Sequence, residues 1–399
     1  MKNRYLVRSR SSASTSSFSS DDSKSIVAPM SSVREELDKS GRNLLSIKDQ
    51  GATPGFICTD SQNHMSIIKT GAKGRGCSEV ISEHLSCSVA QYMFELLEQQ
   101  NYDVPKGLSR AIPKTNLMKL DNVEYVESVF LPKFQDIHKI LGENKRGEDR
   151  KRSKIKSRSR MHKIIRAIEG QDLQEPHLKK ELCWLLAYRQ LVRDRDGHSE
   201  NFGIIEHEDG SKHIGIIDMG LAHRNIGEHK HLELKDFHDK GLISHKLYGE
   251  ASPNHLADYH KLYLDPEFKK ATEVFKGFFG SLENQGKISD HISGVLEEVK
   301  QTFGEESVEE YKTKWCKIDQ KTDLASALCS IYKTRSQGFE QSISKLETRL
   351  NSKIKKSELL TKIAQSAVEG LALMSNLSLF PLVHTTAFVK TSKSQRKPL

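Results

Sequence analysis

The sequence has no cysteine pair at metal-ligand spacing. Its six cysteines (Cys58, Cys77, Cys87, Cys183, Cys316 and Cys329) stand singly and far apart along 399 residues. That argues against a zinc ribbon or a disulfide frame and points to reduced thiols in a cytosolic setting. An apolar run near the first residue is also missing. "MKNRYLVRSRSS" is basic and then Ser-rich, so no secretory leader is expected. Long apolar stretches are scarce. Gly370 to Val389 lacks Lys, Arg, Asp and Glu, but it carries Ser, Asn, Thr, His384 and Pro381. It reads as a buried or interfacial helix and not a membrane span. There is no internal repeat.

What is present is charge, unevenly placed. The net charge is +9, with 29% charged and 36% apolar residues. This balance allows a packed core but predicts strongly solvated segments. Lys145 to Arg166 holds eleven Lys or Arg against Glu148 and Asp149, so this one segment carries the whole excess. A solvated insert is the plain reading of such a stripe. The sharper one is a polyanion site at Arg150, Lys151, Arg152, Lys154, Lys156, Arg158 and Arg160. Inositol polyphosphate or phosphoinositide ranks above nucleic acid as its ligand, because aromatic interleaving for base stacking is scant. The basic tail "KTSKSQRKPL" adds weak support for peripheral membrane contact.

Three local patterns carry the chemistry. Gly55 to Thr59 and Met65 to Thr70 flank "DSQN" and predict a hairpin, with Met65, Ile67 and Lys69 on one face. A helix from Ser78 to Gln99 follows, with Glu79 and Glu83 one turn apart. A strand is expected from Asn122 to Leu131, stopped by Pro132. A helix starting near Pro176 leads into "RDRDGHSENFGII", and "EDGS" then joins two apolar strands. From about Ser289 the pattern is helical. Ser307 with Glu310 suggests a capping box, and Phe339, Ile343, Leu346 and Leu350 form an apolar seam.

An antiparallel hairpin brings its outer ends to roughly 5 Å apart. Here those ends are Asn201 and Asp218, with Asp196 and His198 in the loop just before. Two oxygen donors so placed suit Mg²⁺ or Mn²⁺ completed by phosphates and water. A carboxylate at Asp196 can take a proton from a hydroxyl. His198 is expected to brace this loop by hydrogen bonding, ahead of direct chemistry. Asp194 reads as a second acid facing solvent. Lys69 supplies a cation for phosphates, with Glu79 or Glu83 to hold it. The bland readings are a solvated loop cluster and an edge-strand lysine. Seven histidines between His223 and His260 match no zinc spacing and read as surface and core residues.

"DGHSENF" followed by "IIDMG" resembles the catalytic and metal-binding loops of kinases related to the phosphoinositide 3-kinases and to the HipA-type bacterial toxin kinases, with Met219 where Phe is usual. "IIK" and the acidic helix are similar to the HipA-type lysine strand and glutamate helix. The resemblance covers roughly residues 45–225 and favours Glu83 over Glu79 as the partner of Lys69. It implies an α+β, two-lobed protein-kinase-like fold: a small β-rich N-lobe, a helical C-lobe and a helical C-terminal extension. It further implies that the backbone at Phe130 and Leu131 meets adenine. The phosphate loop is the poorest match. "KDQGATPGF" offers Gly51 and Gly55 but no GxGxxG.

The expected organisation is a disordered Ser-rich arm over 1–38, an N-lobe over 39–131, a C-lobe over 132–350 with the basic insert 145–166, and a helical extension with a basic tail over 351–399. The expected activity is transfer of the ATP γ-phosphoryl group to a hydroxyl, with protein Ser/Thr first among acceptors and the basic stripe as a regulatory site. The alternatives are a non-catalytic kinase-like module binding phosphoinositide or a partner, and a nucleotidyl transferase using the same site. A cytoplasmic or membrane-peripheral protein, or an effector passed into a host cell, fits this reading.

Overall fold

A computed structural model describes residues 30–48, 55–72, 75–136, 176–194, 196, 201–232 and 262–376. The first hairpin forms as its alternation requires. β2 (Gly55–Thr59) pairs antiparallel with β3 (Met65–Lys69). Three further strands enclose it: β1 (Asn43–Ile47), β4 (Thr115–Leu120) and β5 (Val123–Val129). The sheet order is β1-β2-β3-β5-β4, so β3 is central and the edge-strand reading of Lys69 is wrong. The expected strand from Asn122 to Leu131 is β5, shorter at both ends.

Sequence reading missed β1, β4, the short strand Gln135–Asp136 and two helices, Met30–Lys39 and Pro266–Gly280. α1 (Met30–Lys39) falls within the expected disordered arm, yet it seats Val33 and Leu37 on the sheet beside Phe56, Ile68 and Tyr125. On this face Glu127 accepts from Arg42, Ser66 and Asn116, so a buried carboxylate is fully met.

α2 (Gly76–Gln99) crosses the other face. It is buried nearly all round, as befits a helix between a sheet and a helical lobe. That lobe contains α3 (Pro176–Leu191), α4 (Pro266–Gly280), α5 (Leu282–Phe303), α6 (Glu305–Glu310) and α7 (Leu324–Asn376), with a π-helical turn at Tyr311–Trp315. Phe275 of α4 lies edge-on to Trp184 of α3 and 6.3 Å from Phe94 of α2, so one ring ties three helices. The capping box is not formed. Gly304 is the N-cap of α6, and the Ser307 hydroxyl donates back to Phe303 O. The seam expected on α7 is buried at Phe339, Ile343 and Leu346. α7 is one continuous helix across the expected boundary at 350–351. Among the described residues no helix is long and apolar enough to cross a membrane.

A second sheet positions the site. β7 (Phe202–Glu206) and β8 (Lys212–Ile216) form the expected hairpin, with Phe202 opposite Ile216, and β6 (Gln135–Asp136) pairs with β7. The architecture is α+β and kinase-like: a five-stranded lobe with one helix across it, a connecting segment, and a helical lobe carrying a hairpin. Truncating Phe275 to Ala should cost about 3–5 kcal/mol, the usual price of a deleted core aromatic. Urea unfolding of the two chains measures it.

Candidate active site

Lys69 ends β3 on the face toward α2. Its Nζ lies 2.8 Å from Glu83 Oε2 and 3.0 Å from Asp218 Oδ1. Three charges from a strand, a helix and the loop after β8 therefore meet. Burial alone would lower the Lys69 pKa. The Asp218 and Glu83 carboxylates outweigh it and hold the ammonium well above the ordinary lysine value. Ser128 of β5 donates to the other Glu83 oxygen at 2.9 Å and fixes the carboxylate's direction. Glu79 does other work. It accepts from Ala72 N and Arg75, closing the turn from β3 into α2, and its chain packs on Gly220.

The hairpin ends converge as expected. Ile217 N donates to Asn201 O at 3.0 Å, one residue before Asp218. Asn201 is buried at 3% exposure, and its Nδ2 donates to Asp196 O at 2.7 Å. The oxygen is then the end of that amide suited to a cation. Asp218 has φ 58°, a left-handed conformation uncommon outside glycine, and its side chain is 39% exposed. Among the described residues no group of three or more His, Cys, Asp or Glu is arranged to hold an ion. Asn201 and Asp218 could offer an ion two hard oxygens, with phosphate and water completing its shell.

Asp194 does not face solvent. It is fully buried, 2.6 Å from Arg189, and its Oδ1 accepts from Asp196 N. Arg189 lies over the Phe202 ring. Asp194 thus fixes the loop that presents Asp196, which is half-buried. His198 and Gly51 lie outside the described residues, as do Arg150, Lys151, Arg152, Lys154, Lys156, Arg158 and Arg160.

The connecting segment fits the glycines of the hairpin. Gly203 and Gly215 pair across β7 and β8. A Cβ on Gly203 would strike the Phe134 ring, and one on Gly215 would come within 2.8 Å of Leu131 Cδ1. Phe130 gives its N–H to Met65 O at 2.9 Å, which leaves its carbonyl as the backbone group it can offer a base.

Lys48 escaped the sequence reading. Its N–H donates to Gly55 O, and Gly55 lies opposite Lys69, so Lys48, Gly55 and Lys69 form one row across three strands. Residues directly opposite share a face, which puts Lys48 on the same side of the sheet as Lys69 and within reach of the same carboxylates. Gly55 keeps the floor between them open. A Cβ there would come within 2.6 Å of Ile68 O and 3.2 Å of Lys69 Cβ. Burial, then the nearby Lys69 charge, holds the Lys48 pKa below its usual value. The signal available in the sequence was a Lys just before a Gly-containing loop.

The LepB N-terminal domain family model matches residues 150–368, more than half of the chain. This chain belongs to the LepB N-terminal domain family. The match takes in the β7–β8 hairpin and most of α7. No curated protein matches the chain in sequence. Among solved structures it is similar to the proinflammatory kinase CtkA of Helicobacter pylori, at 13% identity and TM-score 0.33, covering 72% of this chain and 95% of that one. It is also similar to the 618-residue N-terminal fragment of LepB from Legionella pneumophila, at 12% identity and TM-score 0.42. That likeness covers 71% of this chain and 46% of the fragment, so the chain spans under half of it. HipA of the Shewanella oneidensis toxin–antitoxin system, solved with HipB and operator DNA, matches at 11% identity and TM-score 0.40, covering 75% of this chain and 67% of that one. The scores are low, so the kinase-like architecture of this LepB-family chain rests on its own geometry.

Burial pushes the Asp194 carboxyl up to about 6 against the pull of Arg189. The folded chain therefore binds this proton more tightly than the unfolded chain, where 3.8 applies. Stability from this group is complete below the unfolded value and lost as pH rises through the folded one, by ~3 kcal/mol. Asp194→Asn should remove that fall. Urea midpoints taken at about pH 4 and about pH 7 should differ less in the variant than in the wild type.

Proposed function

We propose that this protein is an ATP-dependent kinase that transfers the γ-phosphoryl group to a hydroxyl, with protein Ser/Thr as the first acceptor class to test. The observation that carries this is the meeting of Lys69, Glu83 and Asp218 beside Asn201 and the Asp196 loop. Phosphoryl transfer asks mainly for positioning and charge neutralisation, and these groups supply both.

In this reading Asp218 and the Asn201 oxygen hold Mg²⁺ or Mn²⁺, which when bound screens the phosphate charge. Lys69, kept in place by Glu83, contacts the α- and β-phosphates as ATP enters. Lys48 adds a second cation at the phosphate end. Adenine lies along the backbone at Phe130 and Leu131. Asp196 accepts the proton of the acceptor hydroxyl as its oxygen bonds to the γ-phosphorus. The bond from that phosphorus to the β–γ bridging oxygen breaks, and ADP departs. Asp194 holds the Asp196 backbone during this step. The basic stripe at Lys151, Arg152, Lys154 and Lys156 is proposed as a site where inositol polyphosphate or phosphoinositide adjusts the rate.

ATP labelled separately at the α- and γ-phosphates tests the reaction. Label should move from the γ position only. Movement from α would mean nucleotidyl transfer, and no movement would leave a binding module. Asp196→Asn should lower kcat by about 10²–10⁴-fold, the range for loss of a general base, with nucleotide binding kept. Lys48→Ala should raise KM for ATP more than it lowers kcat. Full turnover by Asp218→Ala would end the metal assignment.

A further inference from the structure

The segment after Asp218 is fastened to helices that follow it by about ninety residues or more in sequence. Five residues on, His223 has φ 60° and is fully buried. One ring nitrogen lies 2.7 Å from the Tyr311 hydroxyl and the other 2.6 Å from the Tyr332 hydroxyl. Burial pushes its pKa down to about 3, so the ring is neutral. A neutral imidazole has one donor and one acceptor. One tyrosine therefore donates to the ring and the other accepts from it, and no polar atom of the ring is wasted.

The backbone continues the fastening. His223 N donates to Val192 O, immediately before Arg193 and Asp194. The indole of Trp315 and the Ser82 hydroxyl both donate to Ala222 O. Asn225 N and Gly227 N donate to Trp315 O and Cys316 O in the π-helical turn. On α7, Arg335 donates to Gln190 O at the end of α3 and to His229 O, and Ser342 donates to Leu232 O. The loop bearing Asp218 and the loop bearing Asp196 thus share one set of supports. Most of those supports come from the π-helical turn and α7, with Ser82 of α2 and the Lys69–Asp218 ion pair added from the β-rich lobe.

We infer that His223 is a positioning residue: clasped by Tyr311 and Tyr332, it sets the placement of Asp218 and makes the C-terminal helices part of the catalytic apparatus. The inference rests on the kinase reading for its functional consequence. It does not rest on it for the clasp itself.

Tyr311→Phe and Tyr332→Phe are the test variants, because each keeps the ring and removes one hydroxyl that touches His223. Two measurements are made on the full chain. The first is hydrogen exchange of the amides of Ala222, His223, Asn225 and Gly227. These should be protected in the wild type and should exchange about tenfold faster in each variant, the effect of leaving one buried polar group unmet. The second is Mn²⁺ binding in the presence of a non-hydrolysable ATP analogue. Its affinity should fall by a similar factor, ATP KM should hardly move, and excess Mn²⁺ should restore turnover. A purely structural role would lower the melting temperature without this split. Unchanged exchange in both variants overturns the clasp. Faster exchange with wild-type Mn²⁺ affinity overturns its role in placing Asp218. If the wild type binds neither Mn²⁺ nor nucleotide, the kinase reading fails, and exchange alone then decides the clasp.

Discussion

The interaction that organises the molecule is the buried meeting of Lys69 with two carboxylates. An unpaired ammonium in that position would be costly, and so would the Glu83 carboxylate alone. Each partner comes from a different part of the chain: Lys69 from the central strand of one sheet, Glu83 from the helix across it, Asp218 from the far lobe. Satisfying three charges at once fixes how the lobes face each other. The buried residues of α2 then extend that alignment over a broad apolar contact.

The charge count at this point is also informative. Two carboxylates meet one lysine, with Lys48 nearby on the same face. In the proposed reaction a nucleotide would bring phosphate charge to the lysines and a divalent ion to Asp218. The arrangement can exchange one set of partners for another without leaving any member buried and unmatched. That property, more than any single distance, supports a catalytic reading over a purely structural ion pair.

Much of this was legible in the sequence because its signals are local. An Asp-Gly turn between two apolar runs fixes a hairpin, and a hairpin fixes which residues stand at its mouth. Hence Asn201 and Asp218 could be placed at the hairpin mouth, and period-two alternation placed Lys69 on the face toward α2. What escaped is long-range. β1 is mostly exposed and lacks a buried stripe. β4 follows two prolines. Asp194 reads as a surface acid until Arg189, one helical turn back and fully buried, is seen beside it. That Phe130 spends its N–H on Met65 O is likewise invisible in the sequence, because the partner lies 65 residues back. His223 lay among seven histidines, and nothing local distinguishes the one whose partners come from Tyr311 and Tyr332.

The reach of α7 has a consequence for what counts as the working unit. Cut at the end of the hairpin, or even after α5, the chain would keep every acid and lysine of the cleft. It would lose the side chains of Tyr332, Arg335 and Ser342 that hold the backbone around them. The smallest autonomous piece therefore extends well beyond its last reactive group. The tolerance of this protein to shortening, fusion or swapping is set by its scaffold's far end.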